Sequence, residues 1–263
     1  MGQNIGNYHK NRGGADREND SDIIYGRNPV IEALRAGKAI NKILIAGDKS
    51  GSLNVILALA KENGVVFVQS TKEKLDELTG TRSHQGVMAY MAAAEYCELE
   101  DIFKIAEERG EPPFVIILDE IQDAHNLGAI IRTADAVGAH GIVIPKRRAV
   151  SLTGAVSKAS AGAVSHVAVA RVPNIPSAVE SLKKRGLWIY GTDLDGNTCF
   201  YDADFKGPTG IVIGSEGGGM GRLVRESCDF VITIPMKGRV SSLNASVAAG
   251  VVLYEVFKQR NGI

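Results

Sequence analysis

A carboxylate, Glu216, stands inside the glycine-dense stretch Ile213-Gly214-Ser215-Glu216-Gly217-Gly218-Gly219-Met220, directly after the apolar run GIVI at 210–213. A glycine turn behind a buried strand lets a ligand come close to the backbone, and a phosphate is the commonest such ligand. A phosphate loop would bring a P-loop lysine or the G-x-G-x-x-G spacing, and neither is present. A serine-hydrolase elbow needs glycine two positions before the serine, where Ile213 stands. Two readings remain. The turn meets an adenine-like ring or a ribose, with Glu216 accepting from hydroxyls or holding a basic group, or it is simply a tight turn with a helix cap.

Two further segments carry candidate chemistry. In HNLGAIIRTADAVG, Asn126 reads as a helix N-cap, and Arg132 follows on the face of Gly128, Ala129, Asp135 and Ala136. Small neighbours leave this guanidinium open to a partner. A carboxylate such as Asp119, Asp123 or Asp135 is the simpler one on this segment alone; a substrate phosphate, met bidentately, is the functional one. In SSLNASVAAGVVLYEVF, Ser242 and Asn244 compete for the N-cap of a long helix. Ala245, Ser246, Ala248, Ala249 and Gly250 leave room there for a ligand or a second helix.

These segments need strands and helices to position them, and the pattern supplies both. After a polar stretch at 1–20, expected to be disordered, NPVIEALRAG reads as a helix with Asn28 as N-cap, Pro29 at its first position and Gly37 as its stop. Strand KILIA, helix LNVILALAKENG, strand VVFVQ, helix TKEKLDELTG capped by Thr71, and strand GVMAYM complete a small α/β unit spanning 21–96. The segment 97–113 is a partly helical linker ending at Pro112-Pro113. From 114 to 263 the apolar strands FVIILD, HVAVARV, LWIYGTD, FVITIP and two GIVI runs alternate with helices, including 127–137, 175–185 and a long C-terminal one. Such continuous apolar strands predict a mostly parallel sheet with helices on both faces, binding its ligand beyond the carboxyl ends of the strands.

The chain has 263 residues, 44% of them hydrophobic, enough for one large core or two modest ones. No run reaches the roughly 20 apolar residues of a membrane span, and the N-terminus has no signal-peptide character, so a cytoplasmic protein is expected. Cys97, Cys199 and Cys228 have no zinc or disulfide spacing, and the five histidines are scattered, so no metal site is expected. Net charge is zero, but the acidic linker, with six carboxylates against two cations, masks basic clusters such as Lys146-Arg147-Arg148 and Lys183-Lys184-Arg185. These read as solvated faces or as phosphate contacts.

Taken together, LDEIQDAHNLGAIIRTADAVGAHGIVIP, IVIGSEGGGMGRLV and ITIPMKGRVSSLNASVAAGVVLYE resemble the SpoU (TrmH-like) family of RNA ribose 2′-O-methyltransferases, within the SPOUT superfamily. IIYGRNPVIEAL through SHQGVMAYM is similar to that family's N-terminal RNA substrate-binding domain. The resemblance runs from about residue 22 onward and is strongest to the bacterial enzymes that methylate a guanosine ribose in 23S rRNA. It implies a deep trefoil knot in the C-terminal sheet domain, a homodimer formed through that domain, and S-adenosylmethionine as methyl donor. Carried over residue by residue, it implies Asn126, Arg132, Glu216, Ser242 and Asn244 as the catalytic set. Thr192, Gly214, Glu216, Gly218, Ile234, Met236 and Leu243 are implied around the cofactor. A tRNA methyltransferase, a non-catalytic RNA-binding protein of the same fold, and a nucleotide-dependent enzyme using the glycine loop for phosphate are the alternatives.

Overall fold

The computed structural model describes residues 23–47, 51–240 and 242–263. The expected disorder of 1–20 lies outside the described residues.

The first unit runs β1 (Ile23–Tyr25), α1 (Arg27–Arg35), β2 (Ile40–Ile45), α2 (Ser52–Glu62), β3 (Val66–Gln69), α3 (Lys72–Thr79) and β4 (Val87–Met91). Its sheet has the order β1-β4-β2-β3, with only β2 and β3 parallel. Helical spacing puts Val30, Ile31 and Leu34 of α1 on one face. They pack with Leu53, Ile56 and Ala60 of α2 against Ile43, Ile45, Val87 and Ala89. Thr71 caps α3 as its sequence predicts, accepting from the Lys74 amide at 3.2 Å. Asn28 does not cap α1. The helix starts earlier, at Arg27, with Gly26 at the cap. Gln85, 58 residues away, does the capping: its Oε1 accepts from the Arg27 amide at 3.1 Å, and its carbonyl from Arg27 Nε at 3.1 Å. A local pattern cannot reveal a cap supplied from another part of the chain.

Helix α4 (Leu99–Arg109) fills most of the acidic segment. The second sheet is built from β5 (Phe114–Leu118), β6 (Gly141–Pro145), β7 (Val169–Val172), β8 (Trp188–Thr192), β9 (Thr198–Cys199), β10 (Thr209–Ile213) and β11 (Phe230–Thr233). Its helices are α5 (Ala124–Ala136), α6 (Gly154–Ala159), α7 (Ile175–Lys184), α8 (Arg222–Ser227) and α9 (Ala245–Asn261). The strand order is β7-β6-β5-β10-β8-β11-β9, and every pairing is parallel. Side chains of β5 alternate between two cores. Phe114, Ile116 and Leu118 meet Ile130 and Ile131 of α5 and Val252 and Leu253 of α9. Val115 and Ile117 meet Val179 and Leu182 of α7 and Val224 of α8. Burial on both faces explains the unbroken apolar strands. The two-residue β9 and six-residue α8 are too short to leave a periodic signal.

Arg260 ties the end of α9 to the strand entrances, donating to the carbonyls of Pro112, Pro113, Phe205 and Gly207. Nearby, the buried His140 accepts at Nδ1 from the Phe114 amide (2.9 Å) and faces Glu111 with Nε2 (3.1 Å). Burial, with Arg109 adding to it, lowers the His140 pKa. An unfolded histidine takes up its proton near pH 6.5 while the buried ring stays neutral, so the unfolded state binds more protons below that pH. Stability should therefore fall as pH drops through about 6.5. The fall should be shallower in His140→Gln, as urea titrations at several pH values would show. Cys97 and Cys228 are free thiols that burial pushes up to about 11 and about 12. Both stay protonated at neutral pH.

Candidate active site

The carboxyl ends of β8, β10 and β11 and the start of α9 enclose a cleft of about 330 Å³, the lower end of the range for small-ligand sites. The chain reaches this edge because β10 is inserted between β5 and β8, so that β7 and β8, consecutive in sequence, lie on opposite sides of it. Open parallel sheets place ligands at such reversals. Thr192, Gly214, Glu216, Gly218, Ile234, Met236 and Leu243 all line this cleft, as does Ser242. Thr192 is held by its hydroxyl, which donates to the Val212 carbonyl at 2.9 Å.

The glycine loop is a miniature hairpin. Ser215 and Gly219 exchange two backbone hydrogen bonds of 3.0 Å, and Glu216, Gly217 and Gly218 form its tip. Gly217 and Gly219 have φ of 77° and 62°, a region glycine enters without penalty. A Cβ on Gly214 would fall 2.2 Å from the Gly219 carbonyl carbon, so the hairpin closes only on glycine there. The tip amides of Glu216, Gly217 and Gly218 have no partner among the described residues and are free to receive a ligand.

Asn244 joins the three sequence segments. Its Oδ1 caps α9, accepting from the amides of Ser246 (3.0 Å) and Val247 (3.3 Å) and from the Ser246 hydroxyl (2.6 Å). Its Nδ2 donates to Asn126 Oδ1 at 2.9 Å and to Glu216 Oε1. Asn244, not Ser242, therefore holds the cap. Asn126 is not a cap. Asp123 takes that place, accepting from the His125 amide at 2.8 Å, and Asn126 is buried within α5 with its side chain freed for Asn244.

Arg132 lies apart. It is exposed, does not line the cleft, and makes no hydrogen bond or ion pair among the described residues. The carboxylates expected to pair with it are otherwise placed. Asp119 accepts from the Gly221 amide at 2.7 Å, burial raising its pKa, and Asp123 caps its own helix. Asp135 is exposed and also without an ion pair among the described residues. The salt-bridge reading of Arg132 is thus not what the fold shows. Sequence reasoning passed over Asp193 and Ser215 as cleft walls, while Ala245 and Ala248, two of the small residues expected to leave room for a ligand or a second helix, do line it. Asp193 adjoins Thr192 at the end of β8, a position that strand-end logic does reach.

Among the described lining residues are two carboxylates, Asp193 and Glu216, and no lysine, arginine or histidine. Such a rim repels a polyphosphate and suits a cationic ligand, while Ile213, Ile232, Ile234 and Leu243 offer apolar walls. The parallel sheet and this cleft define an α/β protein with an acidic, apolar-walled site at its strand ends. Comparisons agree. The SpoU rRNA Methylase family model matches residues 113–254, and the RNA 2′-O ribose methyltransferase substrate-binding model matches 23–97. The chain belongs to the SpoU methylase family, and it is an S-adenosylmethionine-dependent RNA ribose 2′-O-methyltransferase. YacO of Bacillus subtilis, assigned to the TrmH family of tRNA/rRNA methyltransferases, is 52% identical over 243 residues, 92% of this chain and 97% of that one. The SpoU methyltransferase AviRb from Streptomyces viridochromogenes, solved with S-adenosylmethionine, has 26% identity and a TM-score of 0.59, covering 92% of this chain and 91% of its own. The A. aeolicus TrmH/SpoU tRNA modifying enzyme has 31% identity and a TM-score of 0.53 over 62% of this chain and 83% of its own.

Because the hairpin closes only on glycine, Gly214→Ala should weaken S-adenosylhomocysteine binding by more than about tenfold, roughly 1.4 kcal/mol. Calorimetric titration would read it.

Proposed function

We propose that the protein methylates a guanosine ribose in 23S rRNA, with Asn126, Arg132, Glu216, Ser242 and Asn244 as its catalytic set. The observation that carries this reading is the Asn126–Asn244–Glu216 network, which holds parts of α5, the β10 hairpin and α9 at one end of the cleft. S-adenosylmethionine supplies an electrophilic methyl group, held by the cleft residues Thr192, Gly214, Gly218, Ile234, Met236 and Leu243. The ribose 2′-oxygen takes the methyl as the bond between methyl carbon and sulfur breaks, S-adenosylhomocysteine leaves, and the hydroxyl proton passes to solvent. Arg132 grips the phosphate beside the target ribose and stabilises charge developing on that oxygen, while Glu216, Ser242 and Asn244 fix the geometry. Being exposed and outside the cleft suits Arg132 to touching the RNA rather than the cofactor.

The ribosomal target is supported by the family model matched over residues 113–254, whose description is that of an rRNA methylase family. Under this reading residues 21–96 bind RNA, 97–113 link, and 114–263 carry the reaction, in the cytoplasm. Among the described residues no helix is long and apolar enough to cross a membrane. The family's trefoil knot belongs to the proposal, as does a homodimer through the second sheet's helices. Val247, Val251 and Tyr254 form an exposed apolar stripe on α9 at helical spacing, suited to a second copy. Val251→Glu should shift the protein from dimer to monomer in sedimentation equilibrium; a wild-type monomer would remove the dimer. Mapping ribose methylation in ribosomal and transfer RNA from a deletion strain tests the substrate. Loss of one 23S rRNA guanosine methylation is expected, and loss confined to tRNA would replace that target.

A further inference from the structure

A second concavity, of about 400 Å³, opens between the two sheets. Lys42 and Phe67 come to it from β2 and β3, Lys146, Arg147 and Arg148 from the loop after β6, and Arg171 from β7. Among its described lining residues are these five cations and no carboxylate. Internal contacts hold several of them in place. Lys146 Nζ donates to the Gly64 carbonyl at 3.2 Å, and the Arg171 guanidinium donates to the Asn41 carbonyl at 3.3 Å while lying 4.6 Å over the Tyr96 ring. Arg148, with φ of 60°, occupies the left-handed region that a non-glycine residue enters at a cost. Its guanidinium meets Glu120 at 3.2 Å, an exposed pair and so a weak one. Arg147 is exposed and has no partner among the described residues.

An apolar platform adjoins these charges. Phe67 is 43% exposed on β3, the edge strand of its sheet. An aromatic face beside five cations, of which Arg148 alone pairs with a carboxylate among the described residues, is the arrangement that binds single-stranded nucleic acid, the ring stacking an unpaired base while the cations follow the phosphates. A duplex keeps its bases stacked on each other and offers the ring nothing.

Position relates this groove to the cofactor cleft. The 146–151 loop follows the carboxyl end of β6, and the glycine hairpin follows that of β10; in the sheet these strands are separated only by β5. Two interstrand steps span about 10 Å. The Arg148–Glu120 pair ties the groove to the β5–α5 loop, whose Asp123 caps the helix carrying Asn126. We infer that this groove seats a single-stranded RNA segment flanking the target ribose, with phosphates on Lys146, Arg147 and Arg148 and an unpaired base on Phe67. The inference rests on the RNA methyltransferase reading and adds to it the form of RNA taken and the path it follows.

The test uses the full chain, with Arg147→Glu, Phe67→Ala and, as a control at the amino end of the sheet, Lys206→Glu. Binding of a labelled single-stranded oligoribonucleotide and of its duplex is titrated against salt. Methyl transfer to ribosomal RNA from the deletion strain gives KM, and S-adenosylhomocysteine calorimetry reports on the cleft. Arg147→Glu should raise the RNA KM about tenfold and lower the slope of log affinity against log salt by about one. Phe67→Ala should weaken single-strand binding about tenfold with little change in that slope. Lys206→Glu should change neither, and cofactor affinity should hold throughout. Wild-type KM and salt slope in both groove variants would overturn the inference and leave the methyltransferase reading standing, as would tighter binding of the duplex. A Phe67→Ala effect confined to sedimentation would assign the groove to a protein contact and equally overturn it. If wild-type protein transfers no methyl to RNA, the underlying reading fails, while the oligonucleotide titrations still decide whether the groove binds RNA.

Discussion

Arg132→Ala is expected to slow methyl transfer at saturating RNA by about 10²–10³-fold, the usual cost of removing a donor aimed at developing charge. The thermal midpoint and the affinity for S-adenosylhomocysteine should stay at wild-type values. Both halves follow from where the residue lies. Its guanidinium is exposed and has no partner among the described residues, so folding loses nothing with it. It does not line the cleft at the strand ends, the cofactor site under the proposed function, so cofactor affinity should not sense the change. Six residues of helix put it about 9 Å further along α5 than Asn126, the residue bonded to Asn244. A group so placed addresses the RNA. Arg132→Lys keeps the charge but not the two parallel donors, so an intermediate loss, about tenfold, is expected. Single-turnover rates with saturating RNA separate the cases. A lysine variant as fast as wild type would rule out the bidentate contact, and an alanine variant with a lowered midpoint would assign Arg132 a structural part. The same variants bear on the proton. A guanidinium keeps its charge throughout the working pH range and is a poor base. The pH dependence of the residual rate in Arg132→Ala should therefore keep the wild-type shape, only scaled down.

What could be read from the chain follows from the range of the forces involved. The strands of the second sheet announce themselves because burial on both faces demands unbroken apolar runs, as in FVIIL of β5 and TGIVI of β10. Thr71 was legible as a cap because its partner, the Lys74 amide, lies three residues away. The cap of α1 was not, because Gln85 comes from 58 residues off. Asn126 misled for a related reason: asparagine near a helix start usually caps it, but Asp123 satisfies that end, and Asn126 meets Asn244 at a separation of 118 residues. The cleft residues were carried over from the family resemblance, and the rule that ligands sit at strand ends pointed to the same edge of the sheet. Neither gives the sheet order that brings the motifs together. Arg132 shows the opposite error. Its neighbours in sequence suggested a salt bridge, yet Asp119 turns to the Gly221 amide and the guanidinium is left free.

Asn244 is the residue whose replacement should reveal most about the cleft, because its two side-chain atoms do different work. Oδ1 caps α9, and Nδ2 bridges Asn126 to Glu216. Asn244→Asp keeps an oxygen for the Ser246 and Val247 amides, and a carboxylate suits a helix N-terminus, so α9 should start where it does now. The bridging donor is gone, however, and a carboxylate now faces Glu216. We expect at least a 10²-fold loss of kcat at saturating cofactor and RNA, with the Glu216 hairpin pushed away from α9. Two facing carboxylates hold a proton more tightly when folded than when unfolded, so their folded pKa is raised. The folded state then binds more protons over a window beginning near pH 4 and extending upward, and stability falls as pH rises through it. Relative to wild type, Asn244→Asp should therefore be nearly normal at pH 4 and become progressively less stable towards pH 7, in urea titrations across that range. Asn244→Ala loses donor and cap together. Its deficit of about 1 kcal/mol from the cap should show no such pH dependence. An aspartate variant with wild-type kcat would show that the bridge to Glu216 is dispensable, and with it the geometric role assigned to the three-residue network.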